Sequence, residues 1–265
     1  MKIKFSLFVL FLTLSCPLIA QNKYDLSQFA SESGRFFTQP ARWGGTDLLR
    51  LGVVTAATIE TRQYDATIQD SAQEHRHYAE RLPVQVGEQW GGFLVSPLLG
   101  IGLLTYGSSA GNIPVKKTGF EITQSLIYAS VITEVMKNVI GRARPHAKKG
   151  PGAARMFTFN KYNDSSFPAG HVDAAVSLST VLSRDTDSAV LKILAYVPAA
   201  LTVASRIYTN QHWASDCVFG AAIGYYSADW VMNEHEKKAG GATSGLSVQP
   251  YFAGDTVGLG LSVAM

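Results

Sequence analysis

The stretch Ser205–Asp216, SRIYTNQHWASD, holds an Arg, a His and an Asp within one short run. His212 and Asp216 are four apart, so on a helix they would face the same way. A carboxylate beside an imidazole fixes its tautomer and supports its positive form, as general acid–base or nucleophilic work requires. The other reading of the pair is a satisfied helix cap. Trp213 would then face elsewhere and pack.

Two upstream stretches could complete a site. Lys137–Asn163, KNVIGRARPHAKKGPGAARMFTFNKYN, carries Lys137, Arg142, Arg144, Lys148, Lys149, Arg155 and Lys161 and no Asp or Glu. A single-sign cluster at a helix end, beside Pro145, suits an anion; the alternative is a solvated basic face. Lys137 and Arg144 are seven apart, which on a helix places both on one face two turns on. The third stretch is SFPAGHVDAAVSLS. Pro168 to His171 reads as a helix start, where unbonded backbone N–H groups and the helix dipole favour an anion. Gly170 lets a ligand approach the backbone, and His171 in the first turn could pass a proton. The alternative is a helix-opening Pro followed by an incidental His.

The elements that must position these residues are helical. Apolar residues at helical spacing begin near Thr46 (DLLRLGVVTAATIE) and recur in four further stretches: Trp90–Gly111, KKTGFEITQSLIYASVITEVMKNVIG, SAVLKILAYVPAALTVASRIY and WASDCVFGAAIGYYSADWVMNEHEK. With a helix after Pro168, this gives an all-α bundle of about six core helices. The polar stretch YDATIQDSAQEHRHYAERL reads as helix with solvated charges, His75 and His77 on the surface. The alternation Val257, Leu259, Leu261, Val263, after GLSVQPYF, predicts a C-terminal β-hairpin. The expected organisation is a signal peptide over 1–20, an N-terminal segment over 21–44, the bundle over 45–238 and a tail over 239–265.

Composition limits the classes. The chain is 46% hydrophobic and 16% charged with net charge +3, which gives no ground for a nucleic-acid partner. Its mean hydropathy of +0.07 is low for a protein mostly in lipid. Lys2 and Lys4, an apolar run from Phe5 to Leu14 and small residues up to Ala20 have the layout of an export signal, too short for a span of about 20 residues. The rival cleavage, before Cys16, would make a lipoprotein. Cleavage after Ala20 leaves Cys217 as the one remaining cysteine, in an apolar run that marks it as a core residue, and no cluster has zinc-ligand spacing.

Taken together, the order Lys137, Arg144-Pro145, then Pro168-Ala169-Gly170-His171, then Ser205-Arg206 with His212 and Asp216 resembles the type 2 phosphatidic acid phosphatase superfamily, which includes bacterial acid phosphatases and vanadium haloperoxidases. The resemblance covers roughly residues 118 to 230. It implies a metal-independent phosphatase without cofactor. His212 would be the nucleophile and Asp216 its support. His171 would be the acid and then the base, and Lys137, Arg144, Arg206, Ala169 and Gly170 would bind the phosphate. The second motif departs from the family's Pro-Ser-Gly-His: Ala169 removes one hydroxyl donor, about 1.5–3 kcal/mol of charge-assisted bonding, while its backbone N–H stays. Arg142 would support from behind. The implied setting is the periplasm or envelope, with a phosphorylated lipid or a small phosphomonoester as substrate and a membrane surface as partner. The alternatives are a broad-specificity soluble acid phosphatase, a vanadate-dependent haloperoxidase and a non-catalytic envelope protein.

Overall fold

The computed structural model describes residues 22–92, 94–159, 162–243, 246–253 and 256–263, with backbone alone from residue 239. The expected signal peptide, 1–20, lies outside the described residues. Ten α-helices occur among them: α1 Leu26–Phe37, α2 Gly45–Gln63, α3 Asp65–Glu74, α4 Leu82–Trp90, α5 Val95–Ser109, α6 Ile113–Ile140, α7 Gly170–Arg184, α8 Ala189–Leu194, α9 Val197–Tyr208 and α10 Ala214–Thr243. Contacts divide the chain into two units, and the helical one is Lys23–His235. The other contains β1 Leu246–Ala253 and β2 Thr256–Val263, whose backbones pair antiparallel with Leu246 opposite Val263.

The all-helical architecture follows from the apolar periodicity, but the count exceeds the six core helices expected. The segment 21–44 supplies α1, whose Phe36 stacks on Tyr128 of α6 at 4.3 Å. The stretch SAVLKILAYVPAALTVASRIY does not run as one helix. It breaks between Leu194 and Val197, because Pro198 in the first turn of α9 brings no N–H for a preceding carbonyl. By length and composition Ala189–Tyr208 could still cross a membrane, with mean hydropathy 1.5 over its best window. The polar stretch is not wholly solvated either. His75 and His77 are exposed, but Asp65 is completely buried at the first position of α3.

The core lies where α6, α7 and α10 meet: Ile122 and Leu126, Leu178 and Val181, Ala228 and Met232. Each such side chain stabilises the fold by roughly 1.5–3 kcal/mol through burial. Helix α5 packs so closely on α6 that a Cβ at Gly119 would lie 2.2 Å from the Leu104 nitrogen. The end of α6 decides the site. Gly141 stops the helix in the left-handed region (φ 59°) and its N–H caps the Lys137 carbonyl. The chain then runs back beside residues 153–158, joined by backbone bonds from Ala143 N–H to Ala153 O, Arg155 N–H to Gly141 O, Phe157 N–H to Val139 O and Thr158 N–H to Asn138 O. Phe157 itself is left-handed (φ 58°), a costly conformation for an aromatic residue, and those bonds hold it there.

Candidate active site

Four chain segments, within 134–144, 158–171 and 206–212 and at Glu88 of α4, line an open cavity of about 590 Å³. Lys137 reaches it from the last turn of α6, Arg144 from the loop after that helix, His171 from the first turn of α7 and Arg206 from the last turn of α9; His212 lies just before α10. Five of the eight residues expected at a site therefore line one cavity. Lys137 approaches so closely that a Cβ at Gly170 would be 3.0 Å from Nζ.

The residues converge by a different route from the one their spacing suggests. Lys137 and Arg144 do not share a helix face, because α6 has ended at Ile140 and Gly141 turns the chain. His212 and Asp216 are not on a common helix, because α10 starts at Ala214. Asp216 Oδ2 is 3.8 Å from His212 Nδ1, whereas Nδ1 is 2.7 Å from the carbonyl oxygen of Ser166. A carbonyl only accepts, so Nδ1 carries the hydrogen and Nε2 is left with its lone pair. Asp216 behaves as a buried anchor. It accepts from the Trp213 N–H at 2.9 Å, from Ser166 Oγ and from Arg142 Nη1. The capping alternative is thus part of the truth: this carboxylate caps α10 and stands behind the imidazole at once.

Arg142, expected as a supporting residue, spans two buried carboxylates. Nη1 meets Asp216 and Nη2 meets Asp65 Oδ2 at 2.7 Å. Asp65 also accepts from Ser215 N–H at 2.9 Å and Ser215 Oγ at 2.6 Å. Nothing local in the sequence marks Asp65, whose partner Ser215 lies 150 positions away. Ser166 was within reach, two residues before Pro168. Gln211 and Tyr162 were not: Gln211 Oε1 accepts from Arg144 Nη1 at 2.9 Å, and the Tyr162 ring covers the Arg144 guanidinium at 4.2 Å.

Ala169 does not serve as expected. Its side chain is fully buried against Val172, Ala175 and Cys217, and its N–H donates to the Asp216 carbonyl at 3.1 Å. The donor assigned to an anion is already used, because the start of α7 is pinned to the start of α10. Hydroxyl-bearing residues do line the cavity, Ser165 among them, with its Oγ 3.3 Å from Arg144 Nη2.

The electrostatics follow from burial among cations. Desolvation lowers His212 to about 4, with Arg144 and Lys137 adding and Asp216 opposing. Desolvation also lowers His171 to about 3, reinforced by Arg206, His212, Lys137 and Arg144. Burial alone would raise Asp216, but His212, Arg142 and Ser166 hold it below its ordinary value. Both imidazoles are neutral near pH 7 in a cavity rich in positive charge. Arg206 Nε is buried without a hydrogen-bond partner among the described residues, a donor waiting for an oxygen.

Residues 119–239 match the PAP2 superfamily. The match stops before the C-terminal strands, so it lends the tail hairpin no support. An undecaprenyl-diphosphatase of Sulfolobus acidocaldarius is 31% identical over 109 residues, 41% of this chain and 51% of that protein. A lipid A 1-phosphatase of Porphyromonas gingivalis is 39% identical over 62 residues, 23% of this chain and 14% of that protein. The chain thus spans about half of the first relative and a far smaller part of the second. The crystal structure of Aquifex aeolicus LpxE superposes with a TM-score of 0.46 at 19% identity, over 64% of this chain and 94% of that one.

Proposed function

We propose, from the premise that residues 119–239 form a domain of the PAP2 superfamily, that this chain is a phosphatase acting on lipid phosphates or diphosphates through a phosphohistidine. The observation that carries the reading is the tautomer of His212. With Nδ1–H held by the Ser166 carbonyl, Nε2 offers its lone pair in a cavity with Lys137, Arg144 and Arg206.

In the first step Nε2 bonds to phosphorus, and the bond from phosphorus to the ester or bridging oxygen breaks. His171 gives its proton to that oxygen. Lys137, Arg144 and Arg206 hold the phosphoryl oxygens, where charge stabilisation is most of what phosphoryl transfer needs. Asp216, 3.8 Å from Nδ1, offsets the positive charge that the phosphorylated imidazole carries. In the second step His171 takes a proton from water, the water oxygen bonds to phosphorus, and the Nε2–P bond breaks. His171 must be protonated to begin. It is neutral in the empty cavity because cations surround it, and a phosphoryl dianion seated among them offsets that field and raises its proton affinity.

Three features favour a lipid substrate. The curated relatives are named for lipid phosphates. Met156, Phe157 and Phe159 are exposed on either side of Thr158, which lines the cavity. Exposed apolar residues on α2, α5 and α8, such as Leu49, Leu98 and Ile193, suit a membrane surface. Export through the N-terminal signal belongs to the same proposal.

The test is phosphate release by the full chain from a chromogenic monoester and from lipid phosphates side by side, with and without vanadate and EDTA. Release that vanadate stops, EDTA spares and His212→Ala abolishes is the expected result. A ranking that favours the chromogenic ester would instead indicate a broad-specificity phosphatase. No release from any substrate would sink the reading.

A further inference from the structure

The cavity holds two carboxylates that the phosphatase reading leaves without a task. Glu134 Oε1 is 2.8 Å from Lys137 Nζ, and Glu88 Oε1 is 3.0 Å from Arg206 Nη2. Both glutamates line the same cavity as the cations. Two anions at an anion site would repel a phosphate, so their placement needs a reason.

The two members of each pair differ in freedom. The side chains of Lys137 and Arg206 are 11% and 5% exposed, whereas those of Glu134 and Glu88 are 60% and 45% exposed. The cations are fixed by their surroundings. The carboxylates can rotate into water at little cost, since an exposed ion pair is weak. Arg142 marks the contrast, for both its carboxylate partners are 0% exposed and cannot leave. Arg144 has no carboxylate at ion-pair distance among the described residues and meets Gln211 and Tyr162 instead. Arg206 Nε is still unsatisfied with Glu88 in place, so Glu88 does not complete that guanidinium's bonding.

We infer that Glu88 and Glu134 are displaceable counter-ions, which the phosphoryl group of a substrate must replace on Arg206 and Lys137. The inference rests on the phosphatase reading for its ligand. A ligand must match the interaction it removes at each cation. A dianion with three terminal oxygens can do so at both and still reach Arg144. A phosphodiester brings one charge and two free oxygens, so it releases both glutamates for less return. Each glutamate is thus a cost that every ligand meets on entry, and it lowers affinity without ranking the ligands.

The experiment is calorimetric titration of the full chain with inorganic phosphate and with dimethyl phosphate at pH 8, for wild type, Glu88→Gln, Glu134→Gln and the double variant. Each single change is expected to tighten phosphate about two- to fivefold, the range of an exposed ion pair. Dimethyl phosphate should gain by no larger a factor, because the displacement cost removed is the same and the loss of a carboxylate favours the dianion more; a larger gain for the diester would overturn the exchange. Glu88→Asp and Glu134→Asp keep the charge but shorten the reach, and should also tighten phosphate. Aspartate variants that bind as wild type does, while the glutamine variants tighten, would reduce the effect to distant charge and overturn the exchange. Unchanged or weaker binding in every variant, or no phosphate binding by wild type, would overturn it as well. Tightening in a protein that hydrolyses no phosphate ester would leave the exchange standing and remove the phosphatase reading instead.

Discussion

Two histidines in this molecule are almost equally buried, at 2% and 1% exposure, yet their surroundings set them in opposite states. His212, at the cavity, faces cations and a carbonyl, and burial brings it down to about 4. His235 on α10 lies between Glu121 Oε1, 2.9 Å from Nδ1, and Glu32 Oε2, 3.0 Å from Nε2. Burial alone would lower His235 too, but those two carboxylates outweigh it and raise it above its usual 6.5. Burial therefore does not decide a histidine's charge; the sign of its neighbours does. The neutral imidazole keeps a lone pair for chemistry. The charged one has spent both nitrogens on tying α1 and α6 to α10.

The comparison breaks most sharply by substitution. His212→Ala should cut phosphate release by about a thousandfold or more, the usual cost of losing a nucleophile. Circular dichroism at pH 7 should show the fold intact. His235→Leu should do the reverse. It removes the cation between two buried carboxylates, leaving Glu121 to Lys117 and Glu32 to the Gln28 and Gln124 amides and Arg35, costs about 3–5 kcal/mol in a denaturant titration, and leaves turnover per folded molecule unchanged. A His235→Leu protein that is stable but inactive would mean that the two regions are not separable.

Asp65→Asn tests the support behind the cavity. It weakens the hold on Arg142 and should cost about 1–3 kcal/mol, with a fall in kcat larger than any change in KM. A change in KM alone would show Arg142 acting on the substrate and not through Asp216.

The smallest effect is the pH dependence, and its sign separates the histidines. From its usual 6.5 down to about 4, position 212 binds more proton in the unfolded chain than in the folded one, so falling pH removes stability there. His235 behaves oppositely: the folded chain binds more proton above 6.5, so its contribution is full below 6.5 and is lost as pH rises through the raised value. The thermal midpoint should decline on both sides, and His235→Leu should flatten the alkaline side alone. An alkaline decline that persists in that variant would assign it to another group.

How much of this could be read in advance depended on distance along the chain. The helix beginning after Pro168 and the gathering of Lys137, Arg144, His171, Arg206 and His212 were legible from residue order. Glu134 could have been found from the i, i+3 rule, because it lies one turn before Lys137. The geometry between His212 and Asp216 was not legible, since regular spacing carries meaning only inside a helix and the helix begins two residues after His212. Asp65 had no local signal, because its role exists only once α3, the loop after α6 and the start of α10 have met. Ala169 shows the opposite failure: a residue placed correctly at a helix start, whose N–H the fold had already assigned to Asp216.

The strip from Ala153 to Thr158 is attached to its neighbours by backbone groups, while Met156 and Phe157 turn outwards. Backbone bonds are blind to side-chain identity. The wall of the cavity can therefore keep its shape while the outward letters are rewritten, which makes this strip the natural place for a descendant, or a designer's library, to change what the protein prefers without rebuilding how it works.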